Sequence, residues 1–291
     1  MKVYYVGKER EYKSITKLFL DLKNDETEKT IFIDAGVYDV FKEYKEVGMP
    51  SPPDDVRPSN YFPYNAFVPG NTRLIGIGNV LLRFAPSKEE ITYGESRTWA
   101  PLNVLSECHI ENIEIYCKNG RYCIHDDCHN LYPNTRHYYK NVRCHYELGD
   151  EKDGMRLGFN NTVGNGMPQG CKFEFEDCTF AFTGDNKHSA FYTHEDGFDT
   201  PENSPSLIFK NCLFLAGEGN DRVLRLQNLA KADLHILTRV ESSYLSGGIY
   251  LTIHNEDSAQ HYDVTVINSG NPPILVDDEE NNIYPVKIYE A

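Results

Sequence analysis

Two periodicities run along the chain. Near its start Ile15, Leu18, Phe19 and Leu22 fall at i, i+3, i+4 and i+7, one apolar stripe, with Ser14 placed to cap it. That pattern predicts a helix over Ser14–Asn24. From Thr30 the period drops to two: TIFIDAGVYDV (Thr30–Val40) and NTRLIGIGNVLLRF (Asn71–Phe84) alternate as strands. The alternation then returns in copies. RYCIHDDCHN (Arg121–Asn130), SAFYTHEDG (Ser189–Gly197) and GIYLTIHNED (Gly248–Asp257) each end an apolar run in a His followed by acids or amides. GMRLGFNN (Gly154–Asn161) and RVLRLQNLA (Arg222–Ala230) are related runs lying between them. Repetition of one strand pattern at long, similar intervals predicts a solenoid whose coils repeat one surface.

A second strand accompanies each copy: HIENIEI, YYKNVRC, EFEDCTF, IFKNCLF and the looser LTRVESS. Its Asn or Asp recurs at 112, 141, 177 and 211, spacings of 29, 36 and 34 residues. Equivalent positions of a parallel solenoid stack about 4.8 Å apart. Ile113, Val142, Cys178, Cys212 and Val240 would therefore form an inward column, and the Asn/Asp column beside it would mark a turn. Phe41–Gly70 interrupts the pattern with Pro50, Pro52, Pro53, Pro58, Pro63 and Pro69, a density that predicts a long loop. Its Phe and Tyr rings have two readings, stacking on sugars or sealing the loop against the solenoid. The expectation is one all-β domain, a right-handed parallel β-helix with a short N-terminal capping helix. It divides into a cap (1–29), the Pro/aromatic loop (41–70), regular coils (101–270) and terminal strands (271–291).

These residues carry a resemblance. SITKLFLDL followed by IFIDAGVYDV and then NTRLIGIGNVLLRF resembles the first coils of pectin-lyase-like right-handed parallel β-helices. That superfamily holds polysaccharide lyases, polygalacturonases, pectin esterases and phage tailspikes. RYCIHDD after such a beginning is most similar to β-helix proteins of phage tails from gut Firmicutes. The resemblance covers most of the chain as architecture and little as chemistry. Neither the NTD…DD…GHG…RIK set of polygalacturonases nor the QDTL…DFIFG set of pectin esterases is present, so it transfers no site residue. It implies a polysaccharide partner and, on the tailspike side, a homotrimer associated with a virion.

Charge narrows the partners. The 291 residues hold 29 Lys and Arg against 44 Asp and Glu, a formal −15, which argues against nucleic acid. No segment has the length and apolarity of a membrane span, and MKVYYVGKEREYK has no signal-peptide core. The expectation is synthesis in the cytoplasm, without membrane insertion. Eight cysteines include no CxxC pair, which predicts reduced thiols packed as small hydrophobes rather than a zinc site. A metal site around Cys123, Cys128 and His129 lacks the usual spacing. No cofactor is expected; a calcium ion on the paired acids has no motif behind it.

Alternation assigns the outer face of the repeated strands. It shows Cys123, His125 and Asp127, then Arg156, Gly158 and Asn160, then Tyr192, His194 and Asp196. Arg225, Gln227 and Leu229 follow, and then Thr252, His254 and Glu256. If the protein is an enzyme, hydrolase or lyase, Asp127 and Asp196 are the candidate acid–base pair, because paired carboxyls serve glycoside cleavage. His125 and His194 would orient them. Arg156, Arg225, Gln227, Tyr192 and His254 would hold the sugar. The competing class is a glycan-binding phage-tail or adhesion module without turnover. Against both stands the plain reading that outward strand residues are polar because they face water.

Overall fold

The computed structural model describes residues 1–47, 66–127, 132–158, 160–184, 191–195, 205–215, 224–227, 233–239, 250–252, 263–268, 275–277 and 286–290. In chain order the elements are β1 (Lys2–Val6), α1 (Ile15–Asp21), β2 (Lys29–Asp39), α2 (Val40–Val47), β3 (Thr72–Phe84), α3 (Tyr93–Ser96), β4 (Leu102–Val104), β5 (Cys108–Glu111), β6 (Glu114–Lys118) and β7 (Ile124–Asp127). Then come β8 (Arg136–Lys140), β9 (Arg143–Glu147), β10 (Glu151–Lys152), β11 (Met155–Arg156), β12 (Val163–Met167), β13 (Lys172–Glu176), β14 (Thr179–Thr183), β15 (Phe191–Glu195) and β16 (Ser206–Leu215). The last six are β17 (Leu224–Gln227), β18 (Asp233–Arg239), β19 (Tyr250–Thr252), β20 (Asp263–Asn268), β21 (Leu275–Asp277) and β22 (Val286–Glu290).

Apart from the small β10–β11 hairpin, every paired strand is parallel to its partner, and partners belong to successive turns of the chain. Seven strands form one sheet in the order β4-β7-β12-β15-β17-β19-β21. Thirteen form a bent sheet with two wings, β5-β8-β13 and β6-β9-β14, joined where the long strands β3 and β16 cross from one wing to the other. The coils from β4 to β14 each lay one strand on the flat sheet and one on each wing. This is a parallel β-helix, as the repeated pattern predicted.

The bend between wings has a local cause. Asn112, Asn141, Asp177 and Asn211 take φ of 59°, 50°, 55° and 52°. Asn and Asp tolerate that left-handed region better than other side-chain-bearing residues. Their amide nitrogens donate to carbonyls one coil on, Asn112 to Lys140, Asn141 to Glu176 and Asp177 to Lys210. Side chains join the same column: Asn141 Nδ2 donates to Asn112 Oδ1 at 2.8 Å, and Asn211 Nδ2 to Asp177 Oδ1 at 2.7 Å. The residues that follow, Ile113, Val142, Cys178 and Cys212, are buried as one inward column. Val240, the expected fifth, lies outside the described residues.

Stacking organises the interior. One column runs Cys108, His137, Phe173, Leu207, and its neighbour runs Ile110, Tyr139, Phe175, Phe209. The second wing adds Ile115, Cys144, Phe180, Phe214. Tyr139 stacks on Phe175 at 4.7 Å, and Phe175 on Phe209 at 5.2 Å. From the flat sheet Phe191 meets Phe180 and Phe209 edge-on at 5.0 Å. The seven described cysteines are buried thiols outside any disulfide, as expected. Several donate to backbone oxygens, such as Cys123 to His145 O at 3.3 Å. Cys128 and His129 lie outside the described residues.

The open end of the solenoid is covered as predicted. Ser14 caps α1, its Oγ accepting from Lys17 N, and the helix buries Ile15, Leu18 and Phe19. Two elements depart from expectation. β1 adds a strand ahead of the helix, paired with β2. And α2 occupies Val40–Val47, where a loop was expected, because the prolines begin only at Pro50. Buried Glu43 of α2 accepts from Ser14 Oγ at 2.7 Å and from Thr16 N at 2.9 Å, tying the two helices. Phe41 and Tyr44 pack against Phe84 and Trp99, and Phe67 is buried beside Leu105. For these three rings the sealing role holds.

Candidate functional site

The flat sheet brings the repeated strands together, with a different second coil from the one expected. The partner of β7 is β12, Val163–Met167, with Ile124, His125, Asp126 and Asp127 opposite Val163, Gly164, Asn165 and Gly166. Arg156 is not on this sheet. It belongs to the β10–β11 hairpin, is exposed, and pairs with Glu151 at 2.6 Å. GMRLGFNN has the apolar content of a strand, but Gly154 (φ 74°) and Gly158 (φ 54°) break its extension. Gly158 and Asn160 leave the expected outer column with it. Leu157 does turn inward, and is buried.

The register sets which positions share a level. His125, Gly164, Tyr192, Arg225 and Tyr250 form one row across the sheet. Asp127, Gly166, His194 and Gln227 form the next. His125 is therefore level with position 192, two residues short of the expected match with His194. The level partner of His194 is Asp127, two strands and roughly 10 Å away. Asp196 and His254 lie outside the described residues, so the expected pairing of Asp127 with Asp196 does too.

The local geometry around β7 also corrects the expected alternation. Both Cys123 N and Ile124 N donate to Thr162 O, at 2.9 and 3.0 Å, so two consecutive residues share one carbonyl. The irregularity sends Cys123 into the core and swings Tyr122 to the outer face, the reverse of simple alternation. There the Tyr122 ring stacks on His125, centroids 5.3 Å apart and planes 25° apart. Gly164 must be glycine for this: an added Cβ would fall 2.3 Å from the Tyr122 ring. His125 Nε2 lies 3.7 Å from Asp127 Oδ2, an electrostatic contact beyond hydrogen-bond range. Both side chains are buried, at 1% and 5% exposure, which the sequence pattern did not suggest.

The chemical content of this row is a buried carboxylate and imidazole beside a strand, VGNGM, whose outward positions carry no side chains. Glycine at 164 and 166 leaves bare backbone between Asp127 and position 194. Pattern reading missed these glycines because VGNGM lacks the apolar run of its neighbours; its G-x-G alternation was the available signal. Two grooves lie elsewhere among the described residues. One of about 510 Å³ follows the wing corner past Asn112, Asn141, Glu114 and Arg143. Another of about 390 Å³ lies between Arg73, His109 and Arg136. Two bases that line the second are engaged by acids beside it: Arg136 with Glu174 at 2.6 Å, His109 with Glu111 at 3.1 Å. Burial lowers the His109 pKa against the pull of Glu111.

Behind β7, inside the solenoid, lies a polar group that the sequence did not announce. Asp126 points inward and is fully buried. His137 Nδ1 is 3.0 Å from Asp126 Oδ2, and the Tyr139 hydroxyl donates to the same oxygen. His137 Nε2 is 2.9 Å from Thr135 Oγ1, which also lies 2.9 Å from Tyr132 O and 3.3 Å from Cys171 Sγ. Cys108 Sγ completes the group, 4.0 Å from the Tyr139 oxygen. No cluster of three His, Cys, Asp or Glu among the described residues is arranged to hold a metal ion.

No family model matches the chain, and no curated protein does. Among solved structures it is similar to a pectin methylesterase from Aspergillus niger, at 12% identity and a TM-score of 0.46, over 99% of this chain and 90% of that one. It is also similar to pectin methylesterase from carrot, at 10% identity and 0.47, over 100% and 88%. The expected kinship with phage-tail proteins gains no support from these neighbours. The QDTL and DFIFG motifs of pectin esterases are absent from this sequence, and the fold stands on the strand pairings of the chain itself.

Proposed function

We propose that the protein binds a polysaccharide across the outer face of the flat sheet and cleaves it there with Asp127 as the acid or base. The observation that carries this reading is the row Asp127–Gly166–His194. It sets a carboxylate and a histidine position on strands two apart, with a glycine backbone between them. A rigid sheet bearing acid–base groups beside bare backbone suits an extended ligand better than a compact one. The formal charge of −15 favours a neutral chain over a polyanion. Arg225 and Gln227 occupy the next strand in the same two rows, where they would extend the contact.

The test is incubation with a panel of neutral and acidic glycans, with products detected by mass spectrometry. Asp127→Asn is expected to lower turnover by at least about 10²-fold, the smallest usual contribution of a positioned acid or base, without shifting the melting temperature. A second reading has its own observation. The burial of Asp127 and His125 suits a module that holds a glycan without reacting, in which case glycan affinity is measurable and no product forms. Absence of both binding and products across the panel overturns the proposal.

A further inference from the structure

The Asp126 group supports an inference that is independent of any ligand. We propose that Asp126 and His137 form a proton-dependent clasp inside the solenoid, a buried pair that keeps one proton more than the same two side chains hold in water at neutral pH.

Asp126 is 0% exposed and His137 is 0% exposed. An isolated carboxylate at such a position is not tolerated; it is neutralised or paired. Among the described residues, the ion-pair partner of Asp126 is His137. The other titratable groups among the described residues that face the pair are Tyr139, Cys108 and Cys171. Tyr139 reaches from the same strand as His137, and burial, reinforced by Asp126, pushes its pKa well up. Cys108 reaches from β5, and burial keeps it a thiol. Cys171 reaches from the turn before β13, bonded to Tyr132 O and Thr135. Phe173 covers the imidazole face at 4.4 Å, and Asn165 of β12 donates to the Asp126 main-chain oxygen at 3.3 Å.

The hydrogen-bond geometry agrees. His137 Nδ1 is within 3.0 Å of both Asp126 oxygens, so a proton lies between them. At the other nitrogen, Thr135 Oγ1 can receive a hydrogen from Nε2 while giving its own to the Tyr132 carbonyl, which also accepts from Cys171 Sγ. Because a carboxylate at this depth needs a compensating charge or a proton, and His137 is the ion-pair partner beside it, the pair is assigned two protons, written as carboxylate with imidazolium or as carboxylic acid with imidazole. Burial opposes charge on His137, but the charge and hydrogen bond of Asp126, with Cys108, lift its pKa well above 6.5.

The clasp joins β7 of the flat sheet to β8 of the first wing, across the bore. The sign follows from linkage. A group whose folded pKa is raised contributes fully below the unfolded value, near 6.5 for His, and loses that contribution as pH rises through the folded value. One proton taken up on folding makes the folding constant fall about tenfold per pH unit across that window.

Urea unfolding of the full chain at several pH values from 5.5 to 9 tests this, alongside His137→Gln. The wild-type folding constant should fall about tenfold per unit above pH 6.5, and the variant should lose that slope. NMR of the wild type with labelled imidazoles guards against a variant that does not fold. One of the ten histidines should stay protonated at pH 8, in a slowly exchanging, solvent-shielded signal. A wild type with no such slope, or ten imidazoles that all deprotonate by pH 7.5, overturns the clasp.

Discussion

Two stretches of the same bore are filled differently. Around β13 and β16 the inward columns are Phe173, Phe175, Phe180, Phe209 and Phe214, with Phe191 facing them from the flat sheet. One coil earlier the same columns hold His137, Tyr139 and Cys144, and Asp126 faces them. Backbone and register are alike in both. The phenyl section gains stability from every buried carbon and asks nothing of its neighbours beyond shape. The polar section must satisfy each donor and acceptor, and it holds a charge pair whose desolvation cost offsets much of its attraction. Equal geometry thus supports a pH-indifferent section beside a proton-dependent one.

The strongest way to break this contrast is to hollow the first section. Phe175→Ala removes a ring stacked between Tyr139 and Phe209, and is expected to cost about 3–5 kcal/mol. Urea unfolding at pH 6 and pH 8 should return the same loss, since no proton is involved. In the polar section Asp126→Val alone leaves His137 buried without its partner and should cost a comparable ~3–5 kcal/mol. Adding His137→Phe sharpens the comparison. It makes this coil resemble its neighbours, where Val104 is level with Asp126 and Phe173 with His137. The double variant is expected to recover most of the loss and to lose the pH slope, as apolar replacement of buried ion pairs does elsewhere. A double variant less stable than the single one would show that the polar section is not interchangeable with an apolar one.

The smallest effect concerns what both sections share. Asn141→Ala beside the polar section and Asn211→Ala beside the phenyl section each replace a residue that tolerates the left-handed region by one that tolerates it less, and delete a ladder bond. Each should cost about 1–2 kcal/mol, and by similar amounts. Unequal losses would mean that the corner feels what fills the bore.

Which features were legible follows from how each is encoded. The Asn/Asp column could be read because one requirement, a left-handed corner, recurs at four successive coils and few residues meet it. The inward column beside it could be read for the same reason. Helix α1 announced itself by its stripe and cap. The second coil of the flat sheet was misplaced because VGNGM has a single strongly apolar contact, Val163, while GMRLGFNN has the apolar content of a strand without the backbone for one. The swap of Tyr122 and Cys123 escaped alternation because a bulge consumes a residue and reverses every face before it. His137 escaped because an inward imidazole reads like a surface one until its carboxylate, eleven residues back and on another sheet, is seen beside it. Arg156, whose charge suggested a sugar contact, was already spoken for by Glu151, its cross-strand partner on the same hairpin.

The corner column also determines how the molecule bears load. Coils are joined by rows of hydrogen bonds that point along the solenoid axis, and at the corners by backbone bonds and, between 112 and 141 and between 177 and 211, a side-chain amide bond. A pull along that axis meets one row at a time, so the last coil tears away before the next is strained. Force is not shared among coils, and each coil of 29 to 36 residues releases about 100–120 Å of slack chain when it goes. The fold that resists local melting through its stacked interior is, end to end, a zipper.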